Sequence, residues 1–339
     1  MGNIEKKVLI TGASGFIGSF LVEGGLDRGM NMWAGIRPTS SRKYLTDTRI
    51  RFAELDLANP ERLKEQLALH KQLHGGWDCI VHCAGITKCH NRDGFDKGNY
   101  VATRNLVEIL QTLDMIPGQF IYISSLSVFG PVHERDYTTI GKQDVPCPNT
   151  AYGMSKLKTE RYLQGLYNFP WVIFRPTGVY GPRECDYFLM AKSIKRHLDL
   201  TAGLKRQDLT FVYVKDLVQA VYLAIRHEVK LRTYFVSDGR VYDSRTFSDL
   251  IQKELGSPWV VHIKCPLFML KTISVLVGAL LNSLGRNSTL NRDKYKIMKQ
   301  RNWRCDIMPL IDELDYHPEY LLEKGVKETI SWYKKEGWL

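Results

Sequence analysis

The sequence predicts an α/β protein in which a doubly wound parallel sheet carries a smaller, discontinuous α/β cap. Three observations predict it. A short aliphatic run, Val8-Leu9-Ile10, enters a turn with glycines at 12, 15 and 18. Strand-like and helix-like stretches then alternate through the first half, as they do where a parallel sheet is covered on both faces. Past residue 176 the alternation breaks into stretches rich in Arg, Lys, Tyr and Pro. They suit a unit lying over the carboxyl ends of the strands, where open α/β sheets bind ligands. The larger unit is expected at 1–176 plus about 211–238, and the cap at 177–210 and 239–339.

Each element has a local reason. Residues 8–10 read as a buried strand, because so short an aliphatic run cannot make a helix. The first helix is expected at 19–29, the second strand at 32–36 and the third at 50–55. Helical spacing runs from 60 to 73, a strand covers 79–82, a helix 101–113 and a strand 120–123. A helix at 151–167 leads into a strand at 171–174, and 233–236 adds the last strand. The tail from 323, with Trp332, Tyr333 and Trp338, reads as a packing helix.

Hydrophobic content of 44% and charge of 24% suit a globular protein. Seven cysteines with no C-x-x-C suggest a reducing compartment and no metal site. The polar residues 1–7 lack the pattern of a secretory signal, so a cytoplasmic protein is expected. The net charge of +11 is uneven: 264–304 holds nine basic residues and one acid, Asp293. No nucleic-acid reader motif accompanies them, so no nucleic-acid partner is expected. A phosphate-bearing ligand or peripheral contact with an anionic membrane through 264–304 fits better, because the amphipathic segment 266–284 lies within it. That segment has three readings: a core helix of the cap, a lid or interfacial helix meeting a lipid-like substrate, or a membrane span.

Strand, glycine turn and helix start together make an anion site, since free N–H groups and the helix dipole converge there. Ser124 and Ser125 end the fifth strand, and Tyr152 and Lys156 share one face of the next helix by their i, i+4 spacing. A phenol with a pKa of about 10 is a poor acid or base at neutral pH, and a neighbouring ammonium lowers that value. A serine hydroxyl beside it holds a substrate oxygen while the phenol passes a proton. No acid stands between 28 and 46, where an acid on the ribose of NAD is expected. Arg37, Ser40 and Arg42 stand there instead, with Thr39, Ser41 and Lys43, a set suited to a 2′-phosphate. NADP(H) is therefore the expected cofactor, with NAD the alternative.

These motifs, with Asp56-Leu57, His82-Cys83-Ala84-Gly85, Asn99, the stretch 175–182 and Phe211-Val212-Tyr213-Val214-Lys215-Asp216, resemble the extended short-chain dehydrogenases/reductases. That group is also called the NAD-dependent epimerase/dehydratase family, and its Rossmann fold is the one expected here. The resemblance implies that Ser125, Tyr152 and Lys156 are catalytic, Lys156 also clamping the ribose. It implies cofactor contacts from Gly12, Ser14, Gly15, Phe16, Ile17 and Gly18, and from Asp56 and Leu57 at the adenine. Further contacts are implied from Ala84, Gly85 and Thr87, from Asn99 and Ser124, and from Pro176, Thr177, Gly178 and Val179 around the nicotinamide. Ser127 and Arg183 are the candidate substrate contacts. It also implies a homodimer through helices of the dinucleotide domain.

Leu126 and Ser127 replace the Asp-Glu pair of the family's dehydratases, and Leu209 and Thr210 replace the Arg-Asp usual in its nucleotide-sugar epimerases. The chain is most similar to the ketone-reducing branch, that of hydroxysteroid dehydrogenases and dihydroflavonol reductases. The expectation is an NADPH-dependent reductase of a bulky apolar ketone, such as a ketosphingolipid or a steroid-like ring. A nucleotide-sugar epimerase and a non-catalytic dinucleotide sensor are the alternatives.

Overall fold

The computed structural model describes residues 5–89, 92–266 and 292–339. Seven parallel strands form the central sheet in the order β10-β6-β5-β4-β1-β2-β3. In chain order they are β1 (Lys7–Thr11), β2 (Asn31–Ile36), β3 (Arg51–Glu54), β4 (Cys79–His82), β5 (Gln119–Ile123), β6 (Trp171–Pro176) and β10 (Arg232–Val236). The order reverses between β1 and β4, and in open α/β sheets ligands bind at the carboxyl ends beside such a reversal. β1, β4 and β5 are buried on both faces, so they read as unbroken apolar runs rather than as alternation.

Helices α1 (Phe16–Leu26), α2 (Pro60–His74), α3 (Arg92–Phe95), α4 (Ala102–Thr112), α5 (Ala151–Gln164) and α7 (Val214–Arg226) accompany the sheet. α1 begins and ends three residues earlier than its sequence suggests. Gly15, in extended backbone, starts it by accepting the Ser19 N–H, and Gly29, at φ +68°, follows its C-terminus. The helix expected at 101–113 is preceded by one π-helical turn, Asp96–Val101.

The remaining elements are β7 (Gly178–Tyr180), α6 (Cys185–Lys195), β8 (Leu198–Ala202), β9 (Phe211–Tyr213), α8 (Thr246–Glu254), β11 (Val261–Cys265), α9 (Arg292–Lys299), α10 (Met308–Leu314) and α11 (Leu322–Lys335). β7 pairs with β9 and β8 with β11, two short parallel ribbons that no run in the sequence announces. Tyr180, Phe211, Tyr213, Phe247 and Tyr333 form the buried centre of an aromatic core among β7, β9, α6, α8 and α11. Cys305, Ile307, Leu310, Leu314 and Tyr316 lie within 239–339, yet they pack into the core of the large sheet. Asp216 fastens the chain beyond α10, accepting the N–H groups of Glu319 and Tyr320 at 3.0 Å each.

Among the described residues no helix is long and apolar enough to cross a membrane. From 267 onward the segment 266–284 lies outside the described residues.

A buried ion pair joins α5 to β6. Arg175 Nη2 donates to Glu160 Oε2 at 2.6 Å, and the Ser124 hydroxyl donates to Glu160 Oε1 at 2.5 Å. Removing one partner strands the other charge away from water. Glu160→Gln is expected to cost about 3 kcal/mol in chemical denaturation, while the double change Glu160→Leu with Arg175→Met costs less. An unchanged midpoint in the single variant would show that the pair does not secure α5.

Candidate active site

The glycine turn closes on steric grounds. Gly12 sits at φ +67°, and a Cβ there would approach the Ala84 backbone to 2.8 Å. A Cβ on Gly18 would strike the Gly12 carbonyl, so α1 lies against the turn only without one. The N-terminus of α1 has neither a side-chain cap nor an acid in its first turn. Its first amides are therefore left for an anion.

A relay of hydrogen bonds ties this turn to the rest of the site. Ala84 N donates to Thr11 Oγ1 at 3.2 Å, and Thr11 Oγ1 lies 2.8 Å from His82 Nδ1. His82 Nε2 lies 2.9 Å from Thr103 Oγ1, which donates to the Asn99 carbonyl at 2.6 Å. Since that proton goes to Asn99, His82 carries its hydrogen on Nε2 and accepts from Thr11 at Nδ1. Burial pushes the imidazole down to about 3, so it is neutral. The Asn99 amide then holds Ile86 N at 2.8 Å, Ile86 O at 3.1 Å and Ser155 Oγ at 2.9 Å. The π-helical turn thus presents Asn99 to both the β4 loop and α5. Thr103 stands one helical turn after Asn99, a spacing visible in the sequence that by itself names no role.

Ser125, Tyr152 and Lys156, the trio expected to be catalytic, come together where β5 ends. Thr150 caps α5 by accepting Gly153 N at 3.0 Å, and Asp293 Oδ2 accepts Ala151 N at 2.7 Å. Lys296 donates to Asn149 O at 2.6 Å, so α9 of the basic stretch is docked on the start of α5. Nothing in the sequence around Asp293 foretells that role. The Tyr152 hydroxyl lies near Ser125, and its ring packs edge-on against Phe95 at 6.2 Å. Lys156 Nζ stands 5.9 Å from the Tyr152 ring centre and 4.7 Å from that of Tyr122, and donates to Ile123 O at 2.8 Å.

The electrostatics correct one expectation. Burial pushes the Tyr152 phenol up to about 12, with the nearby Ser125 hydroxyl only partly opposing it. Burial also brings the Lys156 ammonium down to about 8. Burial thus sets the direction for the resting phenol, while the ammonium beside it donates to the Ile123 carbonyl. Burial likewise pushes the nearby Cys83 thiol up to about 11.

The other expected residues divide. Gly12, Arg37, Asp56, Ala84 and Gly85, Ser125 and Thr177 all follow carboxyl ends of parallel strands, so they gather along one edge of the sheet. Ser14, Phe16 and Ile17 continue the glycine turn, and Thr87 is exposed beyond Gly85. Ser40 folds its turn back on Arg37, and Arg42 lies 4.3 Å over the Phe52 ring. Asp56 is half-buried, 3.8 Å from Arg62, and Leu57 packs into the sheet core. Pro176 ends β6, while Gly178 and Val179 open β7.

Three side chains are spent elsewhere. The Ser124 hydroxyl goes to Glu160, and the Thr177 hydroxyl to Thr210 O at 2.7 Å. Arg183 donates to Ser19 and Glu23 on α1 and lies between the rings of Phe20 and Tyr44, so it braces the fold and is not turned toward a substrate. Ser127 contributes its backbone, the N–H bonding Ser125 Oγ at 3.1 Å.

A dinucleotide fits these residues. The uncapped α1 suits a pyrophosphate. A Cβ on Gly85 would approach Asn99 Oδ1 to 2.8 Å and Lys156 Nζ to 3.5 Å, so its absence clears the approach to both.

The model of the NAD dependent epimerase/dehydratase family matches residues 8–237. YbjS of Escherichia coli, described as uncharacterized, is 27% identical over 98% of both chains. The ceramide reductase of Caulobacter vibrioides is 23% identical over 98% of this chain and 96% of its own. The crystal structure of the Bordetella bronchiseptica enzyme WbmG in complex with NAD superposes with a TM-score of 0.77 at 17% identity, covering 99% of this chain and 96% of that one. The protein is therefore an NAD(P)-dependent oxidoreductase that belongs to the NAD-dependent epimerase/dehydratase family, the extended short-chain dehydrogenases/reductases.

Proposed function

We propose that this protein is an NADPH-dependent reductase of a bulky apolar ketone, with a keto-lipid such as a ketosphingolipid, or a steroid-like ring, as substrate. The observation that carries the reading is the protonated Tyr152 phenol set beside Ser125 and Lys156, because carbonyl reduction needs an acid aimed at the carbonyl oxygen. The dinucleotide supplies a hydride to the carbonyl carbon. Ser125 holds the oxygen by hydrogen bond, and Tyr152 hands its proton to that oxygen. The Lys156 ammonium steadies the phenolate left behind.

The apolar substrate is supported by Leu209 and Thr210 standing where an Arg-Asp pair would grip a nucleotide diphosphate. The Thr210 hydroxyl is committed to Trp303 O at 2.6 Å. The resemblance to a ceramide reductase points the same way. A nucleotide-sugar epimerase is the second reading, favoured by a cavity of about 200 Å³ lined by Lys205, Lys299 and Arg301 with Glu134, Gln207 and Met298. Such an enzyme would retain oxidised cofactor and interconvert sugars with no net consumption of NADPH. A homodimer through the helices of the dinucleotide domain completes the proposal.

Three measurements test it. Tyr152→Phe should lower keto-lipid reduction by about 10²–10⁴-fold while dinucleotide binding persists; retained activity would end the proposed mechanism. Lys156 carries its charge below about 8, so reductive kcat/KM should fall as pH rises through that value. In Lys156→Arg the alkaline fall should disappear, since a guanidinium stays charged. Arg37→Glu should weaken NADPH relative to NADH by about tenfold or more. Equal kcat/KM for both cofactors in the unmodified enzyme would remove the NADPH preference.

A further inference from the structure

We propose that the outward face of the β8–β11 ribbon is a docking surface for an anionic lipid bilayer. The parallel register sets Leu198 beside Val261 and Leu200 beside Ile263. Asp199 and His262, the pair between them, turn the other way: Asp199 is buried, accepting from Ser248 Oγ at 3.1 Å and bonding His262 Nδ1 at 3.0 Å. Since side chains alternate along a strand, the apolar pairs share the opposite face.

That face lies open. Leu200 is 56% exposed, Val261 50% and Ile263 43%, with Trp259 at 69% just before β11 and Leu204 at 71% just after β8. Trp259 is held in place, its ring stacked on His197 at 4.1 Å and its carbonyl bonded to His197 Nδ1 at 2.7 Å. Exposed aliphatic residues scattered singly need no partner, whereas a contiguous row does.

Charge identifies the partner. Lys195 and Arg196 precede β8 and Lys205 follows it; all three are exposed. Among the described residues none of the three enters an ion pair. A second copy of this chain would set these cations against one another. An anionic bilayer meets them with opposite charge, takes the aliphatic row at the headgroup boundary and receives Trp259 at the depth where indoles gather. Neither outer edge of the ribbon has a strand partner among the described residues, so it lies on the surface rather than entering the hydrocarbon. The proposal stands on this surface alone, independent of the substrate reading.

Flotation of the full-length protein tests it, using vesicles of phosphatidylcholine alone and vesicles with about a third phosphatidylglycerol. The protein should float with the anionic vesicles, stay behind with the neutral ones, and be released as salt rises. Leu200→Thr with Ile263→Thr keeps strand-compatible side chains at exposed positions, so its NADPH-induced thermal shift should match the wild type. Its vesicle affinity should fall by about tenfold or more. Lys195→Glu with Lys205→Glu should weaken binding to anionic vesicles by a similar factor. Recovery of the wild type in the unbound fraction with both vesicles overturns the proposal. Equal flotation of the Thr variant overturns it too, assigning the binding to residues outside the ribbon. A changed oligomeric state in that variant, with flotation unaltered, would give the face to a second copy.

Discussion

Residue 153 carries no side chain, and the placement of Tyr152 depends on it. A Cβ there would collide with the Ser127 carbonyl and approach Pro148 Cβ to 2.9 Å, so α5 would have to lift off the turn that follows β5. With hydrogen in its place, the first turn of α5 lies on that turn and the phenol meets the Ser125 hydroxyl. Thr150, Asp293 and the Glu160–Arg175 pair then fix the helix at its start and along its length. The site is thus secured by backbone proximity first and by polar contacts second.

Burial does the electrostatic tuning. It raises the phenol, lowers the ammonium and keeps His82 neutral, each by disfavouring the charged form. The neutral imidazole passes a single sense of hydrogen bonding from Thr11 to Thr103, so the glycine turn, β4 and the Asn99 turn are held in one arrangement. A charged His82 would need to donate at both nitrogens and would break that sequence.

The basic stretch proves to be heterogeneous. Asp293 and Lys296 are taken up in docking α9 onto α5, and Arg301 engages Glu134 and Tyr137. Lys264 remains exposed. A run of like charges in the sequence therefore divides into structural pins and open surface, a division that charge counting cannot make.

The sequence alone determined the doubly wound sheet, because buried parallel strands are short apolar runs and glycines that admit no Cβ have a fixed spacing. It also placed Tyr152 and Lys156 on one face of a helix, since i, i+4 geometry is local to that helix. What only the tertiary structure decided are the meetings of distant segments: Asp293 at the start of α5, Glu160 with Arg175 and Ser124, Arg183 on α1, and the β8–β11 pairing. The upward push of burial on the phenol belongs with them, for desolvation is set by everything packed around a group, and no neighbour in the chain reports it.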